Sequence, residues 1–159
     1  MKIGIISDTH GKIPTAVFDV FEGVEQIWHA GDIGGIDVIN ELETIAPVTA
    51  VHGNMDHFPI VSKFPKQEII EISNNNILLI HQHITENFRR LTDKDWSFDL
   101  NFQMIIFGHT HIPMVKRFKS VLYFNPGSAV HSRYNGKPSV GYLSIEKDGA
   151  ITTEIIFLN

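Results

Sequence analysis

One apolar run after another in this chain ends the same way, in a short polar segment carrying aspartate, asparagine or histidine. The segments are "SDTHG" (7–11), "AGD" (30–32), "HGNMD" (52–56), "IHQH" (80–83), "FGHTH" (107–111) and "FNPGS" (124–128). A buried run of aliphatic residues fixes its own backbone, so the first residues beyond it are presented rigidly. An α/β fold gathers such ends at one edge, because its ligands bind outside the carboxyl ends of the strands.

The spacing between the segments supports that class. "KIGIIS" (2–7) reads as a strand. "IPTAVFDVFEGV" (13–24) places Val17, Val20, Phe21 and Val24 at helical intervals behind Pro14. A strand at 25–32, a helix over 34–46 and a strand at 46–54 continue the rhythm, which implies right-handed crossovers and parallel pairing. After residue 65 the pattern shifts to a hairpin over 66–83, turning at Ser73–Asn76. A helix follows from Ile84 toward Trp96, with Thr85 as its N-cap, then a strand over 102–111. The remainder, with a turn at "KDGA" (147–150), reads as a β-meander. We expect one domain over 1–159: an α/β sandwich of two mixed β-sheets flanked by helices, with its site at the C-terminal ends of the strands.

Several carboxylates and imidazoles converging on one edge cost many kcal/mol to bury without a cation. The chain has no cysteine and nine histidines, so a metal here would take nitrogen and oxygen ligands. That donor set suits manganese, iron, zinc, cobalt or nickel rather than calcium. A net charge of -5 without a basic block argues against a nucleic-acid partner. The N-terminus lacks the apolar segment of a signal peptide, and no stretch reaches membrane-spanning length. A cytoplasmic location with no membrane partner is the expectation.

In this order "DTH", "GD", "GNMD", a strand-terminal histidine and "GHTH" resemble the calcineurin-like metallophosphoesterase superfamily. The small size and the late "NPGS" are similar to its compact YfcE-type phosphodiesterases, and also to the Vps-type retromer subunit. The resemblance implies two divalent ions, manganese first, with iron, zinc, nickel or cobalt as alternatives. Asp8, His10 and His111 would hold one ion, Asn54, His81 and His109 the other, and Asp32 would bridge them. A bridging carboxylate allows ions about 3.5–4 Å apart, sharing the hydroxide that attacks the phosphoryl group. The catalytic candidates are Asp8, His10, Asp32, Asn54, Asp56 and His109. Asp56 is read as a support for Asn54 or a neighbouring imidazole, or else as a surface aspartate.

Other positions stay open. The family usually shows His-Gly-His where this chain has "HQH", so His81 is the expected ligand and His83 the alternative. His29 reads as a structural histidine near Asp32. His131 and Arg133 either reach a phosphate or lie in a solvated loop, and Ser128 reads as a turn residue. Trp28 and Trp96 read as core or interface, and the segment 93–102 suits a homodimer or higher homo-oligomer. Many larger relatives carry a histidine at the position of Met55, with the role of protonating the leaving group or steadying the phosphoryl oxygens. A thioether cannot donate a proton.

The expected activity is a metal-dependent phosphodiesterase acting on a small phosphate ester. The alternatives are a phosphomonoesterase on a phosphorylated metabolite and a protein-assembly scaffold built on the same fold.

Overall fold

The computed structural model describes residues 1–82, 101–131, 133 and 136–159. The helix expected from Ile84, together with His83 and Trp96, lies outside them.

Ten strands and three short helices are formed among the described residues. Strands β1 (Lys2–Ile6), β2 (Gln26–Ala30) and β3 (Val48–Val51) alternate with α1 (Ala16–Val20) and α2 (Ile36–Glu43), and α3 (Ile60–Lys63) follows. Next come β4 (Gln67–Ile72), β5 (Asn75–Ile80), β6 (Met104–Phe107), β7 (Met114–Phe118), β8 (Val121–Asn125), β9 (Ser139–Ile145) and β10 (Ile151–Phe157). They form two five-stranded mixed sheets, ordered β10-β9-β1-β2-β3 and β4-β5-β6-β8-β7. In the first, β1, β2 and β3 run parallel while β9 is antiparallel to β1. In the second, β5, β6 and β8 run parallel, with antiparallel β4 and β7 on the edges.

The sheets pack face to face because their strands carry apolar residues on both sides. Ile3, Ile5, Trp28, Ala30 and Val51 of one sheet meet Ile77, Leu79, Met104, Ile106 and Phe124 of the other. On the opposite face of the first sheet, Ile6 and Ile27 pack against Val17 and Phe21, and against Val38, Ile39 and Leu42 of α2. A third cluster, built on Leu78, Ile80, Ile105, Phe107 and Tyr123, lies on the outer face of the second sheet.

Three readings of the sequence are corrected in detail. The helix expected over 13–24 is only Ala16–Val20; the chain leaves helical geometry by Gly23, whose φ is +78°. The hairpin turns at Ser73–Asn74 rather than over four residues, with Ile72 paired to Asn75. The C-terminal strands are not one meander: β7–β8 is a hairpin of the second sheet and β9–β10 a hairpin of the first.

This topology places the site. The carboxyl ends of β1, β2 and β3 and those of β5, β6 and β8 deliver the segments 7–11, 30–32, 52–56, 80–82, 107–111 and 124–128.

Candidate metal centre

The loops after β1 and β2 run beside each other as a short ladder. Asp8 N–H donates to the Gly31 carbonyl (3.0 Å), His10 N–H to Asp32 (3.0 Å) and Gly11 N–H to Ile33 (2.8 Å). This pairing holds Asp8, His10 and Asp32 in the left-handed region, at φ of 54°, 47° and 53°. His109 and His111 share it, at 76° and 59°. Asp, Asn and His are the non-glycine residues that best tolerate this conformation. Each such residue still costs about 1–3 kcal/mol, and such strain clusters where a site requires it.

Hydrogen bonds to carbonyl oxygens fix the tautomers of two imidazoles. His81 Nδ1 lies 2.7 Å from the Ala30 carbonyl, and His111 Nδ1 lies 2.8 Å from that of His131. A carbonyl only accepts, so each Nδ1 carries the proton and each neutral ring presents its Nε2 lone pair inward. His111 Nε2 is 3.1 Å from Asp8 Oδ1 and 3.3 Å from His10 Nε2. His81 Nε2 is 3.3 Å from Asp32 Oδ2 and 3.9 Å from Asp8 Oδ1. Asp8 Oδ1 and His81 Nε2 are both fully buried and neither has a hydrogen bond. Lone pairs and carboxylate oxygens that converge without donors between them repel one another unless a cation, or protons, enter the space. The donors fit a divalent ion of intermediate hardness.

Two groups of donor atoms lie close enough together to share an ion: Asp8, His10 and His111, and Asp8, Asp32 and His81. Asp8 is common to both groups, and Asp32, the expected bridging carboxylate, belongs to the second. Asp32 Oδ1 is taken by the Met55 amide at 2.8 Å, which leaves Oδ2 toward His81. His109 and Asn54 stand beside these groups. His109 Nδ1 is 2.8 Å from Asn54 Oδ1, and the His109 ring meets that of His81 edge-on with centroids 5.3 Å apart. The backbone N–H of His109 also donates to Asp8 Oδ2 at 3.1 Å.

The electrostatics follow from this packing. Burial opposes charge on His81, but the adjoining Asp32 and Asp8 carboxylates outweigh it and raise its pKa. Asp8 does the same for His111, against burial. For Asp32, burial raises the pKa but His81 and the Met55 N–H together lower it. Protons therefore compete with a cation for the two imidazoles, and metal binding should release them.

A supporting layer holds the loops. Asp56, 5% exposed, accepts from the amides of Ile33 (3.1 Å), Gly34 (2.7 Å) and Gly53 (2.8 Å). It ties one ligand loop to another through backbone rather than orienting Asn54 or an imidazole. Buried Ser128 donates to the Asp8 carbonyl (2.9 Å) and accepts from the amides of Val130 and His131, so its hydroxyl is a structural tie. His29 is fully buried; its Nδ1 accepts from Gly31 N–H, and its Nε2 faces Thr9 Oγ1 at 2.9 Å. Thr9 in turn donates to the Ile33 carbonyl at 2.9 Å.

At Gly53 a Cβ would overlap Asp32 Oδ1 and its backbone nitrogen. Gly53→Ala is therefore expected to destabilise the fold by about 1–3 kcal/mol, the usual cost of overpacking. It should also weaken metal retention more than a surface substitution of equal stability cost. Thermal melting alongside metal analysis checks both, and wild-type values in each would contradict the close packing described here.

All the expected ligands thus meet at one edge, and Asp56 lies directly behind them. His83 is outside the described residues, while His81 faces both Asp8 and Asp32. His131 contributes its carbonyl to His111, a role that the sequence did not suggest. The ties made by the Ala30 carbonyl and the Met55 amide were not legible either, because backbone groups carry no residue signature. A cavity of about 300 Å³ adjoins the centre, lined by Phe107, His109, Thr110, Ile112, Pro113, Met114 and Arg133. Among the described residues no helix is long and apolar enough to cross a membrane.

The calcineurin-like phosphoesterase superfamily domain matches residues 1–148. A probable metallophosphoesterase of Methanothermobacter thermautotrophicus is 40% identical over 167 aligned positions, covering 98% of this chain and 92% of that protein. The phosphodiesterase YfcE of Escherichia coli is 29% identical, covering 90% of this chain and 87% of its own. Among solved structures, Vps29 of Entamoeba histolytica in complex with zinc superposes with a TM-score of 0.74 at 25% identity, covering 100% of both chains.

Proposed function

The chain belongs to the calcineurin-like phosphoesterase superfamily, and from that premise we propose that it is a metal-dependent phosphodiesterase with a dinuclear centre. The observation that carries the reading is the pair of donor groups joined through Asp8. Asp8, His10 and His111 would hold one ion; Asp32 and His81, with Asn54 and His109, would hold the other. Manganese is our first choice, with iron, zinc, nickel or cobalt also compatible with the donors. Bound divalent ions supply activation of the attacking water and neutralise charge growing on the phosphoryl oxygens.

The chain's own residues prepare that chemistry. The Ala30 and His131 carbonyls hold the protons of His81 and His111 on Nδ1, so both Nε2 atoms stay available as donors. The Met55 amide orients the Asp32 carboxylate, and Asp56 fixes the loops that carry Asp32 and Asn54. Arg133 lies at the adjoining cavity, where its fork suits a phosphate oxygen.

Purified protein with Mn²⁺ should hydrolyse a p-nitrophenyl phosphodiester faster than the corresponding monoester. Activity on monoesters alone would favour the phosphomonoesterase reading. No turnover with Mn²⁺, Ni²⁺, Co²⁺ or Zn²⁺ would leave the assembly-scaffold reading that the likeness to Vps29 suggests.

Leaving-group chemistry gives a further prediction. Met55 is 58% exposed beside the centre, and its bond to Asp32 comes from the backbone amide, so Met55→His leaves that bond in place. General acids contribute roughly 10²–10⁴-fold where the leaving group is poor. The variant is expected to accelerate alkyl esters at least ~10-fold and aryl esters only slightly. Equal effects on the two ester classes would show that the added imidazole is not acting as the acid.

A further inference from the structure

We propose that the cavity beside His109 is a subsite for the apolar substituent of a phosphodiester, sized for one aromatic ring. The inference rests on the phosphodiesterase reading above and goes beyond it by naming a substrate class.

His109 links the cavity to the ligand cluster: it lines the cavity, and its Nδ1 lies 2.8 Å from Asn54 Oδ1. A phosphoryl group held at the cluster therefore has one side facing this space. Four of the lining residues are apolar: Phe107, Ile112, Pro113 and Met114. Ile112 is 43% exposed, so it presents a branched aliphatic surface to water where a bound ring would cover it. Its backbone is fixed, because Ile112 N–H and Thr110 Oγ1 are 3.2 Å apart and Thr110 Oγ1 also accepts from Asn125.

The polar lining residues are His109, Thr110 and Arg133. Arg133 joins its backbone N–H to the His111 carbonyl at 3.1 Å, which anchors it over the ligand loop. The lining thus combines a guanidinium and an imidazole with four apolar side chains, matching an ester with an anionic phosphoryl head and an apolar substituent. Its volume, about 300 Å³, is at the low end for small-molecule sites. It takes one ring and a few atoms, whereas a long chain or a polymer unit would extend into solvent.

Titration of the Mn²⁺-loaded protein with phenylphosphonate and methylphosphonate tests this. Both carry the phosphoryl head and differ in the substituent. In isothermal calorimetry the wild-type protein is expected to bind phenylphosphonate at least ten-fold more tightly. In Ile112→Asn, which places an amide in the apolar wall at a partly exposed position, that preference should fall below three-fold. Equal binding of the two phosphonates by the wild type, or an undiminished preference in the variant, overturns the subsite alone. Binding of neither phosphonate by protein that hydrolyses a p-nitrophenyl phosphodiester also overturns the subsite alone, whereas absence of that hydrolysis overturns the phosphodiesterase reading and the subsite with it.

Discussion

Replacing Asp8 by asparagine is expected to lower turnover of an aryl phosphodiester by about 10³-fold, the upper range for losing one electrostatic group at a reacting centre. The size of the effect follows from position. Asp8 is the one residue common to both donor groups, and its Oδ1 is buried without a hydrogen bond between the Nε2 atoms of His111 and His81. Asparagine keeps the shape and tolerates the left-handed backbone at φ 54°. It can also still accept the His109 N–H. The variant should therefore fold, with its thermal midpoint close to wild type, while retaining less metal. Steady-state kinetics with metal analysis on the same preparation checks this. Wild-type turnover with full metal occupancy would remove Asp8 from the centre.

The second large effect is on stability in acid. Burial drives His29 neutral, against the attraction of Asp56, Asp8 and Asp32, and lowers its pKa from 6.5 to about 4. Between those values the unfolded chain holds a proton that the folded chain does not, so stability rises with pH across the window. The contribution is complete above pH 6.5. It is lost as the pH falls toward 4, and below that no further loss occurs from this group. The lowering to about 4 corresponds to roughly 3 kcal/mol over the window.

The other shifted groups of the centre act elsewhere in pH. In metal-free protein the raised pKa values of His81 and His111 stabilise the fold below 6.5, an effect lost as pH rises through the folded values. Asp32 is lowered from 3.8, so its contribution is lost in still stronger acid. Urea unfolding of metal-free protein at pH 7 and pH 4.5 should show the difference, and His29→Gln should flatten it. An equal slope in the variant would mean that His29 already carries a proton in the fold.

Parts of this architecture are legible in the sequence for a clear reason. A buried strand needs a continuous apolar run, and the residues that follow it must sit at the sheet edge. The segments that carry Asp8, Asp32, Asn54, His81, His109 and His111 could therefore be picked out by position, while the choice of ligands within them came from the resemblance to the metallophosphoesterases. What the runs do not show is which sheet each strand joins. Strands β9 and β10 carry the same apolar character wherever they pair, so a meander was as readable as the hairpin that closes the first sheet.

The inner construction of the centre was hidden for a different reason. Asp56 is anchored by amides from residues 33, 34 and 53. Two of those come from a loop more than twenty positions away, and no local pattern encodes that meeting. The left-handed backbone of His10, His109 and His111 is hidden too, since local preference at such positions favours glycine or asparagine. His29 could be read as structural, but its bonds to Thr9 and Gly31 emerge only when the two loops are side by side.

The most direct measurement is a metal titration of turnover. Protein stripped with a chelator and assayed on a p-nitrophenyl phosphodiester should be inactive. Activity should return with added Mn²⁺ and reach its plateau as two ions bind per chain. Turnover that persists in the stripped protein, or a plateau reached with a single ion bound, would contradict the dinuclear centre joined through Asp8.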